Sequence, residues 1–256
     1  MNDLPRRHVM TGLAGLSLAT LLADPVKVAA AAESLTTVTT KTPSGRDISG
    51  ALGVPAKTPA GAVVLVPEWW GLNDQIKSVA AELTRIGYLT LASDLYNGKV
   101  ASDAATARQL KDAMQPDQAT ETLTTWIDYM RKRPECTGKL AMIGWCFGGG
   151  WSLRASLARP VEATVIYYGD VTPDEAALQK LKGPVLGHFG NLDQSITPDS
   201  VNTFEARLKK IGKTATIYRY NANHAFANPT GQNYEAAEAR QAWDRTVAFL
   251  HQTIGS

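Results

Sequence analysis

Cysteine is scarce in this sequence, since only Cys136 and Cys146 occur among its 256 residues. A scaffold held together by several disulfides is therefore excluded. The two cysteines flank a strand-like segment from Lys139 to Trp145. A strand rises roughly 3.3 Å per residue, so the two thiols stand far beyond the ~7 Å that a disulfide tolerates. We predict two free thiols, which is unusual in an oxidising compartment.

The sequence also lacks the features of nucleic-acid-binding and cofactor-dependent proteins. Its 26 Lys and Arg residues are nearly balanced by 24 Asp and Glu. The densest basic cluster, Arg131 to Arg133, ends a helical pattern, where the helix dipole favours cations, and we interpret it as a solvated helix end. There is no HExxH, no CxxC and no dinucleotide-type glycine pattern. Neither nucleic acid nor a metal or organic cofactor is therefore expected.

The apolar run near the N-terminus is too short to span a bilayer comfortably. Val9 to Ala23 is 15 residues long, follows Arg6-Arg7 and precedes the small residues of Val28 to Ala32. Residues 1–32 are therefore predicted to be a cleaved export signal, and the paired arginines resemble those of a twin-arginine signal. We expect a periplasmic protein without stable membrane insertion after cleavage. A disordered or membrane-tethered N-terminus is the alternative.

Beyond the signal, strand-like and helix-like segments alternate. A hairpin pattern surrounds Pro43 to Gly45, and Ala62 to Val66 is the continuous apolar run of a strand buried on both faces. Further strands are predicted at Tyr88–Ala92, Leu140–Gly144, Ala163–Tyr167, Pro184–His188 and Thr214–Tyr218. Helices are predicted at Asn73–Ile86, Ala104–Met114, Thr120–Arg131, from Phe147, near Pro173–Leu181, at Val201–Ile211 and at Glu235–Thr253. The pattern predicts one α/β domain over residues 33–256, with a doubly wound, mostly parallel sheet, a leading hairpin and helices on both faces.

The stretch from Ile143 to Gly150, IGWCFGGG, lies where a strand passes into a helix. Its Gly-x-Cys-x-Gly spacing is that of a nucleophile elbow, with Cys146 in the position that serine usually holds. Gly144 and Gly148 would permit a close strand–helix approach, and the helix N-terminus favours a thiolate. A buried structural cysteine in a glycine-rich turn is the alternative.

An aspartate and a histidine farther along the chain complete a possible catalytic set with Cys146. Asp193 comes 47 residues after Cys146, just beyond a predicted strand, and His224 follows 31 residues later. The chain order of nucleophile, acid and histidine is that of α/β-hydrolases. Asp170 and Asp199 compete with Asp193 for the role of the acid. His188 lies within or at the end of a strand and is predicted to be packed or hydrogen-bonded.

Glu68 is a fourth polar candidate at the carboxyl end of a predicted strand, where α/β proteins form their sites. It lies in VPEWWG, where hydrolases place an oxyanion-hole loop. A carboxylate close to a thiol can hold it as a neutral, hydrogen-bonded SH until substrate displaces it. A polar turn residue ahead of the helix at Asn73 is the alternative.

Six motifs together resemble those of the dienelactone hydrolase family of α/β-hydrolases. They are PEWWGL, SDLY, GWCFGGG, VIYYGD, GNLDQSITP and NANHAF, in that order between Pro67 and Phe226. The resemblance implies a nucleophile, acid and base at Cys146, Asp193 and His224. It further implies a thiol-switching carboxylate at Glu68, oxyanion-hole N–H groups at Trp69 and Phe147, and a substrate pocket with Tyr168, Trp70 and Tyr96.

The sequence departs from the family at the arginines that grip a substrate carboxylate. Asn97 and Gly98 follow DLY, and Asn228 follows the histidine motif, while Lys99 could substitute in part. Tryptophans 69, 70 and 145 with Phe147 suggest an aromatic pocket. We therefore expect a monomeric thiol hydrolase of small esters or lactones. The alternative is a non-catalytic protein of the same fold that binds a ligand or senses redox state through its thiol.

Overall fold

The computed structural model describes Leu22 and residues 24–255. The paired arginines and most of the predicted export signal lie outside the described residues. The strands are β1 Thr36–Lys41, β2 Asp47–Gly53, β3 Ala60–Val66, β4 Leu89–Ser93, β5 Cys136–Trp145, β6 Ala163–Tyr167, β7 Val185–Gly190 and β8 Ala215–Tyr220. The helices are α1 Pro25–Glu33, α2 Asp74–Arg85, α3 Ala104–Ala113, α4 Pro116–Arg131, α5 Phe147–Ala158, α6 Glu175–Leu178, α7 Pro198–Lys210 and α8 Ala236–Ile254.

The strands form one eight-stranded sheet in the order β1-β2-β4-β3-β5-β6-β7-β8. The leading hairpin pairs antiparallel, and β2 joins β4 antiparallel, whereas β3 to β8 run parallel. The predicted doubly wound α/β fold with a leading hairpin is therefore confirmed. The alternation of strands and helices predicted it because parallel neighbours need a crossover connection.

Both faces of the sheet are covered by helices. Alternate residues of β3 face opposite sides: Val63 and Leu65 pack with α2 and α8, while Val64 packs with α4 and α5. Helix α7 covers the same side as α5, over β6 and β7. All seven residues of β3 are buried, which explains its uninterrupted apolar sequence. This core holds the carboxyl ends of β3 and β5 to β8 along one edge of the sheet.

Several boundaries differ from the predicted ones. Helix α4 begins at Pro116 rather than Thr120, because proline is favoured in a first helical turn, where its missing N–H costs nothing. Strand β5 begins at Cys136 rather than Leu140, since pairing of Cys136 with Ala60 of β3 extends it through polar residues. Helix α6 is only four residues long.

The sequence predicted a solvated basic cluster at the end of α4, but two of its arginines are engaged in hydrogen bonds and ion pairs. The Arg131 guanidinium donates to the Glu162 carboxylate at 2.8 Å and to the carbonyls of Gly138 and Pro160. The Arg133 guanidinium pairs with Glu135. These arginines therefore tie α4 to the start of β5 and to the loop before β6.

The structure also bears on the predictions about the two thiols and about membrane-spanning segments. Cys136 and Cys146 are both free, as predicted. Cys136 opens β5, and Cys146 directly follows that strand. Among the described residues, no helix combines the length and apolarity needed to cross a bilayer. The small residues expected to precede the signal cut, Val28 to Ala32, lie in helix α1.

Candidate active site

Four predicted polar residues converge at the carboxyl edge of the sheet. Glu68 follows β3 by two residues, Cys146 directly follows β5, Asp193 follows β7, and His224 follows β8. Parallel strands bring their carboxyl ends to the same edge, so residues up to 156 positions apart in the chain become neighbours. All except Asp193 line one cavity of about 560 Å³.

Cys146 occupies a sharp turn between β5 and α5. Its backbone has φ 52° and ψ −119°, a region that residues other than glycine rarely adopt. A Cβ atom added to Gly144 would lie 2.0 Å from the carbonyl oxygen of Gly148, and one added to Gly148 would lie 2.2 Å from that of Val66. The two glycines therefore permit α5 to approach β3 and β5 closely enough to present the thiol at the sheet edge.

A continuous hydrogen-bonded relay joins an acid, a histidine and the thiol. His224 Nδ1 lies 2.7 Å from Asp193 Oδ2, and His224 Nε2 lies 3.0 Å from Cys146 Sγ. The other oxygen of Asp193 accepts from the backbone N–H groups of Ser195 at 2.7 Å and Ile196 at 2.9 Å. Asp193 is buried, so its carboxylate is fixed and aimed at the imidazole.

The residues that compete in sequence for these roles do not join the relay. Asp170 lies at the cavity but pairs with Arg154 and Thr172, and Asp199 is in the first turn of α7. His188 is fully buried, with its ring nitrogens bonded to Tyr220 and Thr246. Burial lowers the pKa of His188 to about 3, so this histidine stays neutral. The prediction of a hydrogen-bonded histidine at this position is confirmed.

The charge of His224 is set by its two partners. Burial lowers the pKa of His224, but the hydrogen bonds to Asp193 and Cys146 outweigh it and raise that pKa to about 10. At neutral pH the ring is therefore an imidazolium. Cys146 Sγ lies 3.0 Å from Nε2 of this ring, within reach for proton exchange between the two groups.

Glu68 is buried and bonded to two side chains other than the thiol. Its carboxyl group accepts from Asn228 Nδ2 at 2.6 Å and from the Tyr168 hydroxyl at 3.3 Å. Burial raises the pKa of Glu68, which favours the neutral acid. The thiol itself is bonded to His224, so the expected hydrogen bond between Glu68 and Cys146 is not formed in this structure.

Asn228 has a structural role that the sequence did not reveal. Its amide oxygen accepts from the backbone N–H of Thr230 at 2.9 Å and from the Thr230 hydroxyl at 2.7 Å. Both ends of the amide are therefore engaged, and the Nδ2 group is aimed at Glu68. Sequence reasoning marked Asn228 only as a replacement for an arginine, because nothing local indicates a partner 160 residues away.

Two backbone N–H groups beside the thiol have no hydrogen-bond acceptor among the described residues, namely those of Trp69 and Phe147. Phe147 is the first residue of α5, where an N–H has no intrahelical acceptor. Both residues line the cavity together with Cys146. These donors are available to an oxygen atom bound beside Sγ.

The cavity wall corrects part of the predicted pocket. Trp69 and Trp70, in edge contact at 5.2 Å, line it with Phe147 and Tyr168. Tyr96 does not line it but packs behind Phe147, with ring centroids 6.2 Å apart. Trp145 is also absent from the wall, because its side chain stacks on Tyr167 beneath the sheet edge.

The lysine at the cavity is Lys111 of α3, and not Lys99 as expected from the sequence. Lys111 is half-exposed, and its ammonium lies 3.5 Å from Asp112. An exposed helical lysine carries no sequence signal, because only the packing of α3 over the site brings it there. Within the described part of the chain, no three His, Cys, Asp or Glu side chains are grouped so as to hold a metal ion.

Residues 48–254 match the model of the dienelactone hydrolase family. The chain belongs to this family. Carboxymethylenebutenolidase from Pseudomonas putida is 27% identical over 216 residues, which cover 80% of this chain and 92% of the relative. This confirms the resemblance carried by the six motifs, and a dienelactone hydrolase-like hydrolase is the broad functional class.

Solved structures of dienelactone hydrolase relatives share the fold. A Klebsiella pneumoniae protein assigned to the dienelactone hydrolases superposes with a TM-score of 0.77 at 25% identity, covering 85% of this chain and 99% of its own. A dienelactone hydrolase-like promiscuous phosphotriesterase from metagenomic libraries gives a TM-score of 0.77 at 22% identity, covering 87% and 100%. The α/β-hydrolase fold is therefore established for this family member.

Proposed function

We propose that the protein hydrolyses small carboxylic esters or lactones through an acyl group carried on Cys146. One observation carries the proposal: the relay from Asp193 through His224 to Cys146 Sγ opens onto the cavity of about 560 Å³. An activated thiol, an orienting acid and free N–H donors at one cavity are the parts that acyl transfer requires.

The proposed reaction has two halves. The Cys146 thiolate attacks the carbonyl carbon, and the resulting oxyanion accepts from the N–H groups of Trp69 and Phe147. Collapse of this intermediate breaks the carbon–oxygen bond of the ester. The proton held on His224 Nε2 passes to the departing alkoxide, which leaves a thioester on the enzyme.

Water completes the cycle. Neutral His224 removes a proton from water, and the hydroxide attacks the thioester to form a second tetrahedral intermediate. This intermediate releases the carboxylic acid and restores the thiolate beside an imidazolium. Asp193 keeps Nδ1 protonated throughout, so Nε2 is the nitrogen that exchanges the proton.

The contacts of Glu68 support a modified role for this residue. Asn228 and Tyr168 bind its oxygens, and the thiol already pairs with His224. We therefore assign Glu68 to the cavity wall, where burial raises its pKa and favours the neutral form. The substrate-triggered thiol switch implied by the resemblance would first require breaking the 2.6 Å bond from Asn228.

The cavity above Cys146 has no arginine in its lining, and its one lysine, Lys111, is half-exposed with its ammonium 3.5 Å from Asp112, so we expect neutral substrates to be favoured. Asn97 and Gly98 lie outside this cavity, and the amide N–H of Asn228 donates to Glu68. None of these residues therefore replaces a carboxylate-binding arginine. The aromatic side chains of Trp69, Trp70 and Phe147 offer an apolar surface instead. We expect uncharged esters and lactones to be turned over at least as well as dienelactones that bear a carboxylate.

The mechanism is tested with Cys146→Ala, using the distal thiol variant Cys136→Ala as the matched control. We expect Cys146→Ala to abolish hydrolysis of an aryl acetate and a lactone, with Cys136→Ala retaining it. Intact-mass measurement after rapid quenching should find an acetyl adduct on wild-type protein and not on Cys146→Ala. Turnover by Cys146→Ala would refute the mechanism. A thiol that gives only oxidised or mixed-disulfide forms would favour redox sensing.

We also propose that residues 1–32 direct export to the periplasm through a twin-arginine signal. The arrangement of Arg6-Arg7, an apolar run of 15 residues and a small-residue stretch supports this proposal. Cell fractionation and N-terminal sequencing test it. Arg6→Lys with Arg7→Lys should retain an uncut precursor in the cytoplasm, and a mature periplasmic protein from that variant would contradict the twin-arginine route.

A further inference from the structure

The chain folds back on itself after His224, before helix α8 begins. The backbone N–H of Glu235 donates to the carbonyl of Phe226 at 3.0 Å, which closes the segment between them into a loop. We call residues 228–234 the return loop. Part of this loop lines the cavity above Cys146. The return loop is therefore a neighbour of both the histidine and the cavity.

The backbone directly after His224 has an uncommon conformation. Ala225 has φ 64°, in the left-handed region that residues with a side chain rarely adopt. Such a conformation persists only where the surrounding structure holds it. The position of the His224 backbone therefore depends on contacts from outside the turn.

One side chain of the return loop supplies such a contact. Asn233 Nδ2 donates to the backbone carbonyl of His224 at 2.9 Å, across nine residues of chain. A carbonyl oxygen can only accept, so the amide of Asn233 must present its N–H₂ group to it. Among the described residues, no other hydrogen bond is made to this carbonyl.

The ring of His224 has little freedom to move between its two partners. Nδ1 lies 2.7 Å from Asp193 Oδ2, and Nε2 lies 3.0 Å from Cys146 Sγ. Hydrogen bonds weaken steeply when their angle departs from linearity, and a misplacement of 1 Å can cost a catalytic group about 10²-fold in rate. A shift of the His224 backbone moves the ring with it, because only the Cα–Cβ and Cβ–Cγ bonds lie between them.

We propose that Asn233 is a positioning residue for His224, an inference that rests on the function proposed above. Its hydrogen bond to the His224 carbonyl holds the backbone where the imidazole spans Asp193 and Cys146. Asn233 also lines the cavity, so a direct contact with substrate is the role from which positioning must be separated. Loss of positioning lowers kcat, whereas loss of a substrate contact alone raises KM.

Steady-state hydrolysis of an aryl acetate tests the proposal with Asn233→Ala and Asn233→Leu. Leucine approximates the branched shape of asparagine without a donor, so it would largely satisfy a role in packing alone. Asn233 is exposed, and water can replace its donor in part. We therefore expect both variants to lose about tenfold in kcat, with KM within about twofold of wild type. Asn223→Ala is the matched control, since Asn223 is exposed and lies outside the cavity lining, and it should keep the wild-type kcat.

Alkylation by iodoacetamide reports the position of His224 without ester turnover. In a Cys136→Ala background Cys146 is the only thiol, and its reactivity depends on the adjacent base. Both Asn233 variants should be alkylated at least about threefold more slowly than the parent, and Asn223→Ala at the parent rate. A folding defect would have the opposite effect, because an unfolded chain exposes the thiol.

Three results would overturn the proposal. The first is a wild-type kcat and an unchanged or faster alkylation in both Asn233 variants. The second is a raised KM with unchanged kcat and alkylation, which would make Asn233 a substrate contact. The third is full activity of Asn233→Leu beside a defective Asn233→Ala, which would make its role one of packing. If wild type hydrolyses no ester, or Cys146→Ala does, the proposed function fails instead, and the alkylation rates alone decide the role of Asn233.

Discussion

Replacement of Asp193 by asparagine isolates the contribution of the relay. The introduced amide oxygen can still accept from the N–H groups of Ser195 and Ile196, which now lie 2.7 and 2.9 Å from one carboxylate oxygen. The amide N–H₂ group then faces His224 Nδ1, where a charged acceptor lies at 2.7 Å in the native protein. To accept a hydrogen bond from this amide, Nδ1 must be unprotonated, so the neutral imidazole carries its proton on Nε2. In that tautomer it cannot take a proton from the thiol or from water.

The magnitude of the effect follows from the two losses. A charge-assisted hydrogen bond is worth about 1.5–3 kcal/mol, and the wrong tautomer adds a further barrier. Together they resemble the loss of about 10⁴ in kcat that an equivalent change causes in a serine hydrolase triad. At about 1.4 kcal/mol per tenfold this corresponds to roughly 5–6 kcal/mol in the transition state.

The assay is steady-state hydrolysis of an aryl acetate, combined with the rate of Cys146 alkylation by iodoacetamide at neutral pH. We expect Asp193→Asn to lower kcat by about 10³ to 10⁴ and to slow alkylation, because the imidazolium no longer persists. Asp199→Asn, in the first turn of α7, is the matched control and should behave as wild type. If kcat of Asp193→Asn stays within tenfold of wild type, Asp193 does not orient the base.

Three further predictions address the elbow, the ion pair and Glu68. Gly148→Ala would place Cβ 2.2 Å from the Val66 carbonyl oxygen, so we expect a loss of more than about 3 kcal/mol of unfolding free energy by urea denaturation. Gly231→Ala, whose Cβ would have 3.4 Å of room, should cost little, and equal stability of the two variants would contradict the argument. The pKa of His224 is raised to about 10 in the folded protein, so its contribution to stability is complete below pH ~6.5 and is lost as pH rises through about 10. Denaturation of wild type and His224→Gln at several pH values should give curves that converge at alkaline pH, and a constant difference would refute the assignment. Asn228→Ala leaves an oxygen of Glu68 buried without its donor, which should lower stability by about 1–3 kcal/mol. Glu68→Met in the Asn228→Ala background removes the unpaired oxygen, so it should recover part of that loss if the missing donor causes it.

Local patterns predicted most of the elements, and the errors have physical causes. Strand β6 was predicted to the residue, because its five β-compatible residues, four of them apolar, are bounded by polar and glycine-containing loops. The early start of β5 depends on pairing with β3, which begins at Ala60. The start of α4 was predicted four residues late, because its first turn carries proline and exposed polar residues that hide the helical period.

The site was predictable where chemistry requires particular residues in a short stretch. The glycines around Cys146 are needed for steric reasons, and the placement of Asp193 and His224 after their strands follows from the topology of a parallel sheet. Lys111 and the pairing of Asn228 with Glu68 were missed, since neither has a local pattern. Lys99, Tyr96 and Trp145 were assigned to the pocket from proximity to motifs, and packing turned each of them elsewhere.

The order of elements, the elbow and the chain order of thiol, acid and histidine follow from the linear sequence, because they depend on local residue patterns and on the order of those patterns along the chain. Tertiary structure decided which acid reaches His224, which partner holds Glu68 and which aromatic rings face the cavity. These outcomes depend on distances between strands that lie far apart in the chain. The tertiary surroundings also set the charges: hydrogen bonds to Asp193 and Cys146 raise the pKa of His224 against the effect of burial, while burial raises the pKa of Glu68. The same packing places the Tyr96 ring behind Phe147 and outside the wall of the cavity above Cys146.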